Sequence, residues 1–254
     1  MNEKVAVLIP ARIQSTRYPG KPLAQLQGKP MILHVIDRCR SAVVNSNIFV
    51  ATDSREILSI VQEYGANGVL TSDHQTGTDR VAEAIDKIAA EFIINVQGDE
   101  PCFNPQDIMK SIKFLIESKY DVMTGYCEIL DSREFNDPNT IKIIVGNQDQ
   151  LLYISRAPIP GSKRNVFESA FRQVCIYGYS REMLIKFAGL KRSTLELIED
   201  HELLRFLENG ITVGATKLSN WSVPVDFETD IFEAEEVLKQ KFSTFSTINT
   251  ENSL

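Results

Sequence analysis

Apolar positions follow two alternating rhythms along the first 120 residues. Val5–Ile9, Ile48–Ala51 and Phe92–Val96 are short, β-branched runs that read as strands buried on both faces. Helical periods separate them: Met31–Cys39 entered through Pro30, Arg55–Tyr64 ending at Gly65, Arg80–Ala90, and Gln106–Glu117 opened by Pro105. Strand–helix alternation of this kind predicts an α/β fold with a mainly parallel, doubly wound sheet. After Tyr120 the rhythm changes. Val122–Tyr126, Ile141–Val145, Leu151–Ser155 and Cys175–Tyr179 are strand-like with fewer helices between them, which suggests antiparallel additions or a smaller strand-rich lobe. Arg156–Arg172, with Pro158, Pro160 and Gly161, reads as a mobile basic loop. Leu195–Glu208, Ile211–Thr216 and Phe232–Lys239 then supply helix, strand and helix. The expectation is one domain over 1–240, with halves meeting near residue 120, and a polar tail over 241–254.

Composition removes several function classes. The chain has 254 residues and carries 34 acids against 27 bases, a formal net charge of −7, which argues against nucleic acid held on a basic face. Pro10 stops the first apolar run after Val5–Ile9, far short of the roughly 20 apolar residues of a membrane span. No membrane partner is expected. Cys39, Cys102, Cys127 and Cys175 are scattered without a C-x-x-C pair, so they read as reduced thiols of a cytoplasmic protein.

Candidate chemistry sits where strands end. The first strand runs into Pro10-Ala11-Arg12-Ile13-Gln14-Ser15-Thr16-Arg17-Tyr18-Pro19-Gly20-Lys21-Pro22. Ligands of open parallel sheets bind past the carboxyl ends of strands, and this loop holds cations and hydroxyls that suit a polyphosphate. It is not a Walker A loop, because Lys21 is followed by Pro22 and the upstream glycine is missing. Asn95-Val96-Gln97-Gly98-Asp99-Glu100-Pro101 places an acid after another buried strand, as a Mg²⁺-bound nucleotide requires; a plain polar turn fits it equally well. Asp73–Arg80 reads alone as an N-capped helix start, Asp226 alone as a surface acid, and His34 as structural. His34, His74 and His201 show no spacing of a triad or metal site.

Together these segments resemble one family, the 3-deoxy-manno-octulosonate (Kdo) cytidylyltransferases. The resemblance rests on Ile9-Pro10-Ala11-Arg12, Ser15-Thr16-Arg17, Pro19-Gly20-Lys21-Pro22-Leu23 and Gly28-Lys29-Pro30-Met31-Ile32. It continues through Ala51-Thr52-Asp53, Asp73–Arg80, Asn95–Pro101, Leu152-Tyr153, Ser155-Arg156-Ala157, Ile159-Pro160, Ile176–Tyr179 and Val225-Asp226. It implies a sheet of the nucleotide-diphospho-sugar transferase type and transfer of CMP from CTP to the anomeric hydroxyl of a keto-deoxy sugar acid, with pyrophosphate released. Implied catalytic residues are Arg12, Lys21, Asp99 and Asp226, the two acids holding Mg²⁺. Ala11, Arg12, Ser15, Arg17, Lys21, Thr76, Gly77, Thr78, Arg80 and Gln97 are implied on the nucleotide. Gln97, Arg156, Gln173, Tyr177 and Glu202 are implied on the sugar, with Arg156 pairing the acceptor carboxylate. A homodimer formed through the half over 121–240 is implied likewise.

Departures from the family pattern gather on the sugar side. Gln173-Val174-Cys175 stands where the family has His-Leu-Gly, Glu202-Leu203 where it has Glu-Gln, and Gly161-Ser162-Lys163 where aromatic or acidic residues are usual. Val225-Asp226-Phe227-Glu228-Thr229-Asp230 replaces Val-Asp-Thr-Pro-Glu-Asp. Three readings follow: a Kdo cytidylyltransferase for cell-surface polysaccharide, a cytidylyltransferase for another acidic sugar, and a non-catalytic nucleotide-binding regulator. Retention of Arg12, Lys21, Asp99 and Asp226 speaks against the last.

Overall fold

The computed structural model describes residues 4–15, 17–164 and 166–242, so the expected polar tail lies outside them beyond residue 242. The chain opens with β1 (Val5–Ala11), the hairpin strands β2 (Gln25–Leu26) and β3 (Lys29–Pro30), and α1 (Met31–Arg40). β4 (Ile48–Thr52), α2 (Arg55–Glu63), β5 (Asn67–Leu70), α3 (Gly77–Ala84), β6 (Phe92–Val96) and α4 (Pro105–Glu117) complete the first half. The second half runs β7 (Val122–Glu128), α5 (Ser132–Asn136), β8 (Lys142–Val145), β9 (Leu151–Ser155) and β10 (Phe171–Ser180). It ends with α6 (Arg181–Gly189), α7 (Thr194–Glu199), α8 (Leu203–Glu208), β11 (Gly214–Lys217) and α9 (Asp230–Phe242).

Local chemistry explains most boundaries. Ser54, Thr76 and Asn104 accept backbone N–H bonds as N-caps of α2, α3 and α4, and Pro105 supplies the first residue of α4. Gly65, at φ +72°, turns the chain after α2 in a conformation that costs other residues strain.

One sheet carries both halves, in the order β11-β7-β10-β6-β1-β4-β5, with β8 attached to β10 and β9 to β8. β1 runs parallel to β4 and β6, and β4 parallel to β5. Alternate residues of β1 feed two apolar layers. Val5, Val7 and Ile9 pack with Ile32, Ile36, Ile57 and Ile108 of α1, α2 and α4. Ala6 and Leu8 pack with Val81, Leu184, Phe187 and Phe206 of α3, α6 and α8. Each fully buried aliphatic chain contributes roughly 1.5–3 kcal/mol.

Three features refine the sequence reading. The added strands extend the same sheet: β10 is antiparallel to both β6 and β7, while β11 is again parallel to β7. The helix expected over Leu195–Glu208 is broken, because Asp200 takes the left-handed conformation (φ 49°) and ends α7. Short β5 and the Ser180-capped α6 escaped the pattern, since four residues and one glycine carry little periodicity in β5.

The break between α7 and α8 is held by buried charge. Arg205, 2% exposed, bonds Glu196 at 2.6 Å and Asp79 of α3 at 3.0 Å, and its guanidinium lies 3.9 Å from the Phe187 ring centroid. Glu196 is fully buried. Removing one member strands a carboxylate in the core. Arg205→Ala should therefore lower unfolding free energy by about 3–5 kcal/mol, read as a fall in urea midpoint; a loss below about 1 kcal/mol would show that the network is not structural.

Candidate active site

The chain leaves β1 toward β4 on one side and later returns to β6 on the other, and a crevice forms where the strand order reverses. A cleft of about 490 Å³ occupies this place. The end of β1 contributes Pro10, Ala11 and Arg12; the following loop contributes Ser15, Arg17 and Lys21; the turn after β6 contributes Gln97, Gly98 and Asp99. His74, Gln75, Thr76, Gly77 and Arg80 enter from the start of α3, and Arg156 and Asp200 from the second half. Gly98 allows the β1 and β6 loops to meet, because a Cβ there would lie 2.8 Å from the Pro10 carbonyl oxygen.

Lys21 organises the acids. Gly20 in the left-handed conformation turns the loop, and Lys21 opens a short 3₁₀ turn with its side chain almost buried. Its Nζ lies 2.6 Å from Asp99 Oδ2 and 3.2 Å from Asp226 Oδ1. Burial opposes the lysine charge, but the Asp99 pair and then Asp226 outweigh it and hold the pKa above the ordinary lysine value. Asp226 comes from more than 100 residues downstream of Asp99, and the Val225 N–H donates to the Asp99 carbonyl at 2.9 Å. Arg17 also pairs with Asp226 at 3.0 Å and stacks over Phe227. Asp230 fixes this segment by accepting from the Asp226 and Phe227 N–H groups. Behind Asp99, buried Glu100 is pushed up to about 7 by desolvation and then by Asp99, while the Ser222 hydroxyl donates to it.

The remaining residues expected on the nucleotide divide by exposure. Arg12 is exposed at the cleft mouth, and Gln97 bonds Asn95 at 3.3 Å while lining the floor. Arg80 lines the cleft but is 2% exposed, spent on Thr71, the Ser72 carbonyl and Asp53. Thr78 lies behind the wall, fully buried: its hydroxyl donates to Glu202 Oε1 at 2.6 Å and its N–H to Glu202 Oε2 at 3.2 Å.

A second cavity of about 160 Å³ shares Gln75, Thr76 and Asp200 with the first and adds Tyr177, Arg192, His201 and Glu202. Of the expected sugar-side residues, Tyr177 and Glu202 line this space, whereas Arg156 and Gln97 line the main cleft. Arg156 donates from Nε to the Glu199 carbonyl and from Nη1 to the Pro138 carbonyl. Gln173, expected on the sugar, lines neither cavity. Its amide is 5% exposed and satisfied by Thr124 and His201. Leu203 is likewise no wall residue; it is fully buried in the core. His74, Gln75, Asp200 and His201 were missed, because only the broken helix and the folded-over 71–76 loop bring them to the walls.

His201 is held neutral in the fold. Burial, and then the charge of Arg156, lower its pKa from 6.5 to about 4. A depressed histidine leaves stability intact above the unfolded pKa, and that stability is lost as pH falls from 6.5 toward about 4. The unfolded chain then takes up a proton that the folded one refuses. The expected loss approaches about 3 kcal/mol at the acid end. Urea midpoints measured across this range should fall more steeply for the wild type than for His201→Asn; equal slopes would contradict a neutral, buried ring.

The cytidylyltransferase family model matches residues 6–217 of this chain. A 3-deoxy-manno-octulosonate cytidylyltransferase of Trichlorobacter lovleyi is 38% identical over 250 residues, covering 93% of this chain and 99% of its own length. That of Escherichia coli is 32% identical over 241 residues, with 94% and 98% covered. A solved CMP:2-keto-3-deoxy-manno-octonic acid synthetase complexed with CTP superposes with a TM-score of 0.88 at 33% identity, covering 94% of this chain and 100% of that one. A 4-diphosphocytidyl-2C-methyl-D-erythritol synthase from Anaerococcus prevotii, with a TM-score of 0.64 and 13% identity, shares the fold. With nearly the full length of its relatives matched around this cleft, the chain belongs to the cytidylyltransferase family, among the 3-deoxy-manno-octulosonate cytidylyltransferases.

Proposed function

We propose that this enzyme joins CTP to Kdo: the anomeric hydroxyl attacks the α-phosphorus, the bond to pyrophosphate breaks, the hydroxyl proton is lost, and the CMP-sugar is released. The observation that carries this reading is the convergence of Asp99 and Asp226 on one ammonium, at the strand ends where a nucleotide would lie. Arg12, Arg17 and Lys21 surround that point with positive charge suited to a triphosphate. The main cleft accommodates the nucleotide, with Ala11, Ser15, Thr76, Gly77 and Gln97 along its walls. Arg80 and Thr78 act from behind, by holding the start of α3 in place.

The donor set suits Mg²⁺. Two carboxylates within reach of one lysine nitrogen, completed by phosphate oxygens, match a hard cation that keeps several waters. Asp99 and Asp226 would hold it, and it would supply Lewis-acid stabilisation of the phosphate charge. The protein's own share is positioning and charge compensation. Lys21 and Arg12 stabilise the negative charge that grows on departing pyrophosphate, and the loop anchored by Gly20 keeps them in line.

The smaller cavity is the acceptor subsite in this reading. Tyr177 and Glu202 line it, and Arg156 lines the main cleft, close enough for its charge to act on His201 of the smaller cavity. A guanidinium has five donors, and its contacts to Glu199 and Pro138 leave donors for the acceptor carboxylate. The family-implied homodimer is assigned to the half over 121–240, where β9 pairs with β8 at a sheet margin and Leu152 is exposed. No helix among the described residues is long and apolar enough to cross a membrane. The cytoplasm, where CTP is made and free thiols persist, is the compartment this activity suits.

Pyrophosphate release from CTP, Mg²⁺ and Kdo, set against other sugar acids, tests the assignment; no release with Kdo but release with another acid would transfer it to that acceptor. Activity should vanish with EDTA and return with Mg²⁺. Asp99→Asn should fold normally yet lose most turnover, because an amide binds hard cations poorly; full activity at ordinary Mg²⁺ would remove Asp99 from the metal site. Lys21→Ala and Arg12→Ala should each lower kcat by about 10²–10³. For exposed Arg12 the thermal midpoint should stay unchanged, so unfolding of that variant would make its role structural.

A further inference from the structure

His201 and Gln173 form a bonded pair at the edge of the smaller cavity, and their nitrogens and oxygens can be assigned from their neighbours. The Leu203 N–H faces His201 Nδ1 at 3.4 Å. A backbone N–H can only donate, so Nδ1 must carry the lone pair, and the ring proton belongs on Nε2. Nε2 lies 2.7 Å from Gln173 Oε1 and therefore donates to it. This orients the amide, whose Nε2 then donates to the buried Thr124 hydroxyl at 3.0 Å. Reversing the amide would place its N–H against the ring proton on Nε2. The strand β10, the strand β7 and the break before α8 thus fix one tautomer and one ring orientation.

Both ring nitrogens of His201 are used inside the protein. What the ring offers the cavity is carbon surface; Tyr177, Asp200, Glu202 and Arg192 line the same space. Two buried aromatic side chains in a small polar cavity suit a sugar that turns a C–H face toward them and hydroxyls elsewhere. A freely rotating or charged histidine would not give such a surface.

We propose that Gln173 is a positioning residue that locks His201 as a neutral, non-donating wall of the acceptor subsite, and that this wall selects acceptors presenting C–H surface, not a hydroxyl, to His201. The proposal rests on the assignment of the smaller cavity to the acceptor. Gln173 acts through His201 and touches no substrate. The exchange of polar residues at this position relative to the family then alters how the wall is built without adding a sugar contact at Gln173.

Steady-state kinetics with CTP and Kdo, on the full-length enzyme, test it. His201→Ala and Gln173→Leu should each raise the KM for Kdo about three- to tenfold, the worth of a lost buried hydrogen bond or its orientation, with the KM for CTP changed less than about twofold. The double variant His201→Ala with Gln173→Leu should be no worse than His201→Ala alone, because one residue acts through the other. Gln173→Leu with His201→Phe, which keeps the aromatic surface and removes both polar partners, should recover most of the loss. Should any variant fail to fold, ¹⁵N NMR of the wild-type imidazole at neutral pH decides: the Nε2–H tautomer supports the pair, and the Nδ1–H tautomer or imidazolium overturns it. Additive losses in the double variant would overturn it as well. Gln75→Trp, at a residue that lines both cavities, separates the two levels of inference. If it raises the KM for Kdo while the His201 and Gln173 variants do not, the positioning role is wrong; if none of them changes it, the acceptor assignment is wrong.

Discussion

A single nearly buried ammonium holds together the parts of this molecule that do chemistry. Lys21 reaches Asp99 from the turn after β6 and Asp226 from a segment near the far end of the chain. Two carboxylates brought this close repel each other, and withdrawing a lysine from water is costly on its own. The three charges are tolerable only together, which is why their loops are tied by backbone bonds as well: Val225 to Asp99, and Gly20 to Ile13.

A second set of contacts aligns the two halves. The start of α3 forms part of the main cleft, yet it is gripped by the second half through Thr78–Glu202, Asp79–Arg205 and Thr78–Tyr179. Glu202 is raised above its ordinary pKa by burial, although the Thr78 hydroxyl and N–H favour its charged form. Its carboxylate therefore serves two neighbours, the wall of the smaller cavity and the helix that frames the larger one. Any ligand that moves Glu202 acts on the placement of Thr76 and Gly77. Mechanical continuity of this sort follows from one sheet carrying both halves, with β10 wedged between β6 and β7.

Much of this was legible in the residues themselves. Buried strands announce themselves by continuous apolar runs, so β1, β4 and β6 were read within two residues of their observed ends. Capping and breaking residues marked α1, α2 and α4 for the same reason: Pro30, Gly65 and Pro105 act locally. Asp99 and the basic loop stood out because they follow such strands, and strand ends are where an open sheet binds ligands; Asp226 alone reads as a surface acid and stood out only through the family resemblance. Less legible were α7 and α8, whose combined pattern reads as one helix until Asp200 and the buried Arg205–Glu196 pair break it.

The order of strands and helices, the βαβ plan and the charge placed at strand ends were determined by the sequence alone, because each depends on neighbours within a few residues. Only the tertiary structure decided which polar side chains line a cavity and which are spent on protein partners. Arg80 and Gln173 look like ligand residues along the chain, yet packing gives their donors and acceptors to Asp53, Thr71, Thr124 and His201. His201, unremarkable in sequence, becomes a wall because the α7–α8 break carries it there. The physical reason is that a buried polar group must be paired, and its partner is chosen by whatever the fold brings near, across more than a hundred residues for Lys21 and Asp226.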